Sequence, residues 1–423
     1  MLRFASSPTD DMSISDLRIA IFNYIISKQR EEGLLVRIED SNKEKNIEGK
    51  DQEILDTLAL FGVEYSHVVY QSENVRFHSA MALQLMHEKK AFSCFCSQVW
   101  LEKKRQEAQD AKKAYKYDDA CRNLPAELVI DNMSPFTIRV TKPEENLVIK
   151  DYIKGELKFP SDTLDSFVIM DQQKIPTYNF ACAIDDMLGD ISLVLHCEEN
   201  MDNILKQDHI RASLKYDKKV EYAELPLIVD GDSISVKSLF TEGYLPSAIS
   251  NYLISMGTIV PQKIFEIKDS IEWFDLKSIS NSPIEFDMEA LKKINKEHLK
   301  NLEAKELSRY VGFADEEIGE LARVYLEEAA TTKELRSKIE PIFADKEIPK
   351  EFVSKANIMA EAIKSAPYFD KYQDFKNYIL KESGLKEENF SVPLRLLLTG
   401  AVNGPDISEI YKYLKNYIGE IVK

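Results

Sequence analysis

No run of 18 or more apolar residues occurs in the 423-residue chain, so a membrane-crossing helix is not expected. The N-terminus has no basic segment leading into an apolar one and no small-residue cleavage site, so it reads as a strand and not as a secretion signal. Both absences point to a cytoplasmic chain. Cysteine is scarce and odd in number: Cys94, Cys96, Cys121, Cys182 and Cys197 are scattered along the chain, which argues against a disulfide framework. An excess of positive charge is also missing. A net charge of −17 excludes a non-specific nucleic-acid coater, while leaving room for a local basic face that binds RNA. There is no internal repeat, low-complexity tract or disordered linker. No Ser–His–Asp set, P-loop or metal-hydrolase motif is present.

What remains is 44% apolar, as in ordinary soluble proteins, and long enough for roughly two to four domains. Residues 2–5 and 34–39 read as strands around an apolar helix at 16–28, the order of a right-handed parallel crossover. Helical patterns follow at 49–61 and 77–89. A highly charged helical stretch at 97–114 and strand-like pieces at 136–140 and 166–170 look inserted. A strand at 191–196 and a helix at 200–214 return the chain to the first sheet. From Pro261 onward amphipathic helical patterns dominate, at 288–302, 315–329, 333–340, 351–364, 371–382 and 407–421, which predicts an all-helical region.

Six segments, in order, resemble those of glutamyl-tRNA synthetases. Arg3 to Arg18, RFASSPTDDMSISDLR, is similar to the family's R-F-A-P-S-P-T-G-x-x-H-I-G-x-L-R. Leu35–Ser41 is similar to L-R-I-E-D-T, Pro176–Ala181 to P-T-Y-N-F-A with Asp185 and Asp186 following, and Tyr222–Pro226 to Y-A-H-L-P. Phe286-Asp287 with Ile294–Leu299, and Pro393–Gly400 (PLRLLLTG), complete the set. The resemblance implies an α/β Rossmann-type class I synthetase catalytic domain at 1–75 and 180–235, interrupted by an inserted α+β domain at 76–179 that binds the acceptor stem. A stem-contact domain at 236–305 and an all-α anticodon-binding-like region at 306–423 follow. It also implies a glutamate pocket of Arg3, Ala5, Ser7, Glu39 and Tyr178. An arginine fork grips a carboxylate, Glu39 holds an ammonium, and Tyr178 supplies a hydroxyl. Where the family has R-G-E-D this chain has His196-Cys197-Glu198-Glu199, and a histidine cannot reproduce a bidentate grip.

The nucleotide side departs further. The family's HIGH-type tetrad falls on Ser13, Ile14, Ser15 and Asp16, without its histidine or its glycine. That glycine lets adenine lie on the backbone, and Ser15 puts a Cβ there. Asp10, Asp11 and Asp16 surround the helix start, where a triphosphate would meet repulsion of about 1–4 kcal/mol per close pair of charges. Ser13-x-x-Asp16 instead has the form of a helix cap. After Tyr-Ala-x-Leu-Pro the family carries a K-M-S-K-R-type lysine loop. Here Ile228–Leu239 runs straight to the next helix with Lys237 the only nearby cation. Losing one preorganised charge stabiliser costs about 3–4 kcal/mol, and several are missing together.

Cys94-x-Cys96 and Cys121, with 24 residues between Cys96 and Cys121, resemble a zinc knuckle of part of the family. The family's fourth ligand, a histidine, is Asn123 here, so Asp118, Asp119 or water must complete a tetrahedron. The functional expectation is a degenerate synthetase paralogue, a tRNA-binding or regulatory module with little or no glutamate activation. The alternative is an active glutamate–tRNA ligase using ATP and magnesium through unusual motifs. Expected partners are tRNA, specific for glutamate or glutamine, and a catalytic sister synthetase or an amidotransferase, with no membrane and no DNA. Asn295, His298, Arg395, Thr399 and Gly400 sit in the family-like segments of the helical half, with Arg395 and Thr399 spaced to share one helix face.

Overall fold

The computed structural model describes residues 1–197 and 201–422; Glu198 and Glu199 lie outside the described residues. No described helix is long and apolar enough to cross a membrane. The chain divides into two compact units. The first comprises Met1–Ser235, Ile254–Pro261 and Ile267–Phe286. The second comprises Val236–Leu253, Gln262–Glu266 and Asp287 onward.

The first unit is organised by a seven-stranded sheet. Its strands are β1 (Leu2–Ser6), β2 (Leu34–Ile38), β3 (His67–Tyr70), β6 (Leu147–Asp151), β7 (Gly155–Phe159), β9 (Leu193–Cys197) and β10 (Glu221–Leu225), in the order β3-β2-β1-β9-β10-β6-β7. All pairs are parallel except β6 with β7. β2, LLVRI, is buried at every position, as a parallel strand covered on both faces should be. Helix α1 (Ile14–Gln29) connects β1 to β2 and is buried nearly all round, as its apolar sequence requires. The chain moves from β1 outward to β2 and β3, then returns on the other side at β9. The switch in direction therefore lies between β1 and β9, and in open α/β sheets the ligand crevice opens at the carboxyl ends of such strands.

Helices α2 (Lys50–Leu60), α3 (Val75–His87), α4 (Gln98–Asp110), α5 (Ala126–Ile130), α6 (Tyr178–Leu188) and α7 (Met201–Ser213) complete the regular structure up to β10. A small antiparallel sheet of β4 (Ala91–Cys94), β5 (Thr137–Val140) and β8 (Val168–Met170) lies within the 76–179 segment. β6 and β7, from that same segment, complete one side of the main sheet, with β7 at its edge. One apolar cluster runs through Leu85, Ile138, Ile149, Phe180, Ile184 and Val194, so α3, α6 and both sheets share a core. After β10, the pair β11 (Ile228–Val229) and β12 (Ile284–Glu285) forms a two-stranded parallel ladder.

Among its described residues the second unit is helical, as the amphipathic patterns predict. Helices Ala304–Tyr310 and Glu316–Val324 meet at Gly319, where a Cβ would fall 1.8 Å from the Ala304 carbonyl oxygen; only glycine allows the crossing. Three of the family-like polar residues here hold the fold. Asn295 accepts from the Leu245 N–H and donates to the Ala330 carbonyl, at 2.8 and 2.7 Å. His298 bonds Asn251 at 2.9 Å, and Thr399 donates to the Arg395 carbonyl at 2.8 Å. All three side chains are buried. Arg395 and Thr399 do lie on one helix, Ser391–Thr399, closed by Gly400 in the left-handed region at φ 71°. The pattern at 407–421 divides into Ile407–Leu414 and Ile418–Ile421.

Candidate functional site

At the switch point Arg3, Ala5 and Ser7 follow one another out of β1, Glu39 follows β2, Tyr178 opens α6 and His196 sits on β9. All six line one cleft of about 340 Å3, together with Asp10, Asp11, Asp16, Asn203 and Gln207. Six residues named from sequence segments nearly two hundred positions apart are thus neighbours.

Beneath them lies a buried charge cluster that the motif comparison did not name. Asp186 is fully buried. Its Oδ1 accepts from Arg37 Nη1 at 2.5 Å and from Arg3 Nε at 3.2 Å, and Arg211 lies 3.9 Å from its Oδ2. Burial alone would raise this carboxyl, but the three guanidinium groups outweigh it and hold it down at about 2. Arg37 also holds Glu39 Oε1, from Nη2 at 2.9 Å and Nε at 3.3 Å. Cys182 donates to the same oxygen at 3.3 Å. Burial, then the neighbouring Glu39 carboxylate, push the Cys182 thiol well up, so it stays a donor. Glu39, which lines the cleft, is thereby held through Oε1. The signal for Arg37 was present in the sequence: an arginine in the middle of an apolar strand must find buried partners.

His196 faces other company. Its Nδ1 lies 3.2 Å from the Cys197 carbonyl oxygen, and its Nε2 faces Asp151 Oδ2 at 3.7 Å, without a hydrogen bond among the described residues. Burial raises the Asp151 carboxyl, but His196 and the backbone N–H groups of Lys154 and Ile153 bring it below its ordinary value. Asp151 comes from β6, so that strand backs His196 without lining the cleft itself.

The tetrad Ser13–Asp16 sits at the start of α1 as a cap. Ser13 is the N-cap; its Oγ accepts from the Asp16 N–H at 3.1 Å and donates to the Asp16 carboxylate at 2.9 Å. The segment after β10 lies directly on this helix start. Ile14 N–H donates to the Ile234 carbonyl at 3.0 Å, and Ser13 and Ser235 form an isolated antiparallel bridge. Gly231 packs so tightly on Ser15 that a Cβ there would meet Ser15 Oγ at 2.7 Å. Arg18 ties the strand exit to α1 through the Pro226 carbonyl, at 3.4 Å. Lys237 falls on the next helix, Val236–Thr241. Asp11 is paired with Lys50.

Cys94, Cys96 and Cys121 converge, with their sulfur atoms within 4.8 Å of one another. The nearest oxygen is unforeseen: Tyr117 Oη lies 3.4 Å from Cys94 Sγ and 3.5 Å from Cys96 Sγ, and accepts from the Cys121 N–H at 3.1 Å. Asp118 and Asp119 do not join this group; Asp119 pairs with Arg122 and Lys142 at 3.7 and 3.6 Å. The three thiols are a partial donor set of the kind zinc takes, while burial pushes the Tyr117 phenol well above its ordinary value, so that it stays neutral beside them.

The parallel sheet, its switch-point cleft and the helical C-terminal region define a class I aminoacyl-tRNA synthetase fold. The same fold is found in a glutamate tRNA ligase structure from Elizabethkingia meningosepticum, determined in complex with its amino acid, at TM-score 0.83 over 100% of this chain and 98% of that one, with 22% identity. The family model for class I tRNA synthetases (E and Q), catalytic domain, matches residues 1–293. "Glutamate--tRNA ligase 2" of Sulfurimonas denitrificans is 62% identical over the whole of both chains, and "Glutamate--tRNA ligase 1" of Nitratiruptor sp. 46% identical, likewise over the whole of both. The chain belongs to the glutamyl-tRNA synthetase family. Both alignments span 432 positions against 423 residues here, so these relatives carry at least nine residues that this chain lacks.

Proposed function

We propose that this chain is a synthetase paralogue that binds tRNA, or regulates its use, with little or no glutamate activation. The observation that carries the reading is the seating of residues 228–235 on the start of α1. The family's nucleotide lies between that helix start and a lysine-bearing loop; here Ile234, Ser235 and Gly231 contact Ile14, Ser13 and Ser15 directly. Asp10, Asp11 and Asp16 line the adjoining cleft, so a triphosphate entering it meets like charge. The shortfall of nine or more residues against the relatives fits a shortened loop. On this reading the ATP and magnesium of class I chemistry have no seat, and the retained Arg3, Glu39 and Tyr178 form a glutamyl pocket. The 76–179 segment serves as the acceptor-stem domain, 236–305 as the stem-contact domain and 306–423 as the anticodon-side region. Cys94, Cys96 and Cys121 hold one zinc ion that braces the inserted segment.

The test is ATP–pyrophosphate exchange with glutamate and total tRNA, beside filter binding of the same tRNA. The reading expects tRNA binding without exchange, with affinity falling steeply as salt is raised. Binding with no preference for tRNA over an unrelated RNA of similar length would shift the role to a protein partner, a sister synthetase or an amidotransferase.

A further inference from the structure

The three thiols of the inserted segment form a triangle that is one donor short of a tetrahedron. Cys94 ends β4, Cys96 lies just before α4, and Cys121 reaches them from 25 residues beyond Cys96. Their sulfur atoms all lie within 4.8 Å of one another, and those of Cys96 and Cys121 stand 3.5 Å apart. Cys94 is buried, while Cys96 and Cys121 are half-buried, so a ligand reaches the triangle from their side. Among the described residues no histidine or carboxylate joins the group. The acids near it are engaged elsewhere. Asp165 accepts from the Tyr117 N–H at 2.6 Å, Asp118 accepts from the Ala120 N–H at 3.2 Å, and Asp119 pairs with Arg122 and Lys142. Tyr117 Oη serves the cluster as a hydrogen-bond partner, accepting from the Cys121 N–H at 3.1 Å and lying 3.4 and 3.5 Å from two of the sulfurs. Arg139, stacked on the Tyr117 ring at 3.9 Å, brings one positive charge but no lone pair for a metal.

Zinc asks for four donors, so zinc held here must take its fourth ligand from water. A trivalent thiophilic centre is complete with three sulfurs in a pyramid, and thiolates favour soft ions. Charge points the same way. Three thiolates leave one negative charge on zinc and two on monovalent copper, against the single Arg139; on a trivalent centre they leave none.

We infer that the triangle of Cys94, Cys96 and Cys121 takes trivalent arsenic, which water presents as arsenous acid, in preference to zinc. The step is a condensation without oxidation or reduction. Three S–H and three As–O bonds break, three As–S bonds form, and each hydroxyl leaves as water with one thiol proton. Arsenic stays trivalent throughout. The inference rests on reading the three thiols as one metal site, and not on the role of the chain with tRNA.

The full chain, supplied with one equivalent of zinc in a phosphine-reduced buffer, is titrated with arsenite while a chromophoric chelator reports released zinc. One zinc should leave for each arsenic bound. Tryptophan emission should change with it, since Trp100 packs against the cluster. Native mass spectrometry should find one arsenic in exchange for three protons. That count comes from the parent chain, so it stands even where a variant fails to fold. Cys94→Ser, Cys96→Ser and Cys121→Ser should each lose arsenic at a concentration that saturates the parent, and Cys197→Ser should keep it. Asp119→Asn should leave zinc retention and arsenic exchange unchanged. Zinc that stays bound at millimolar arsenite, or arsenic held by two sulfurs with a hydroxyl remaining, overturns the proposal. Weaker zinc retention in Asp119→Asn overturns it as well, because a carboxylate would then close the tetrahedron. A chain that holds no zinc yet binds one arsenic through three sulfurs refutes the zinc reading and supports this one, whereas zinc that arsenite cannot displace does the reverse, so the two failures are separate results.

Discussion

Gly231→Ala is the smallest change that probes how residues 228–235 lie on the start of α1. A Cβ at this position falls 2.7 Å from Ser15 Oγ, and 2.8 and 2.9 Å from Ile228 Cβ and Cγ2. None of these distances is tolerated between real atoms, so the turn or the helix start must move. Overpacking of this kind costs about 1–3 kcal/mol. Ser15 Oγ is buried and makes no hydrogen bond among the described residues, so Ser15→Ala removes an orphaned hydroxyl. That change alone should be neutral or stabilising by up to about 1 kcal/mol. The double variant separates the contacts: with the Oγ gone, Gly231→Ala should cost about 0.5–1 kcal/mol less than it does in the parent. Urea unfolding gives these energies, taken from the first transition because the two units need not unfold together. A harmless Gly231→Ala, additive with Ser15→Ala within about 0.3 kcal/mol, would refute the contact and with it the closed helix start.

The other expectations concern charge, metal and salt. Asp186→Asn strands Arg37 and Arg3 in the interior and should cost about 3–5 kcal/mol at neutral pH. Because the Asp186 carboxyl is held at about 2 in the folded chain against an ordinary 3.8, its stabilisation is full above that ordinary value and is lost as the pH falls toward about 2. The gap between parent and Asp186→Asn in melting temperature should narrow over that window, and a gap constant down to about pH 2 would contradict the assignment. Elemental analysis of the purified chain should find one zinc per molecule; Cys121→Ser should abolish it, and Tyr117→Phe should weaken retention against a chelator. Metal-free protein with unchanged stability would remove the zinc site. The tRNA affinity should fall by orders of magnitude between about 50 and about 200 mM salt if phosphate contacts dominate, and a flat salt response would argue against a nucleic-acid role.

Much of the first unit was legible because its elements are strongly patterned. LLVRI can only be a buried strand, and the apolar run from Leu17 to Ile26 can only be a buried helix. The hairpin of β6 and β7 was not legible. Its sequences, LVIKD and GELKF, are short and carry two charges each, so neither stands out as a strand beside the pieces at 136–140 and 166–170. β3, four residues long, was too short to stand out. Helix Ser391–Thr399 lacks a clear amphipathic pattern and carries Pro393 in its first turn, so only the spacing of Arg395 and Thr399 pointed to it. At the site, motif order alone was enough to group Arg3, Glu39, Tyr178 and His196. The apolar strand around Arg37 signals that it has buried partners, but not that Asp186, 149 residues away, is one of them. The place of Tyr117 among the three thiols was not legible, because a tyrosine between Cys96 and Cys121 carries no metal-site pattern. The seating of Gly231 on Ser15 depends on how a short turn packs, which residue types alone do not fix.

Glutamate-dependent ATP–pyrophosphate exchange, run with and without total tRNA and beside an active glutamate–tRNA ligase, tests the central claim most directly. The closed helix start and the acidic wall predict exchange at background level under both conditions, while tRNA is still retained on the filter. Exchange that rises with tRNA to within about tenfold of the active ligase would mean that ATP is seated and activated here, and the account of a non-activating paralogue would be wrong.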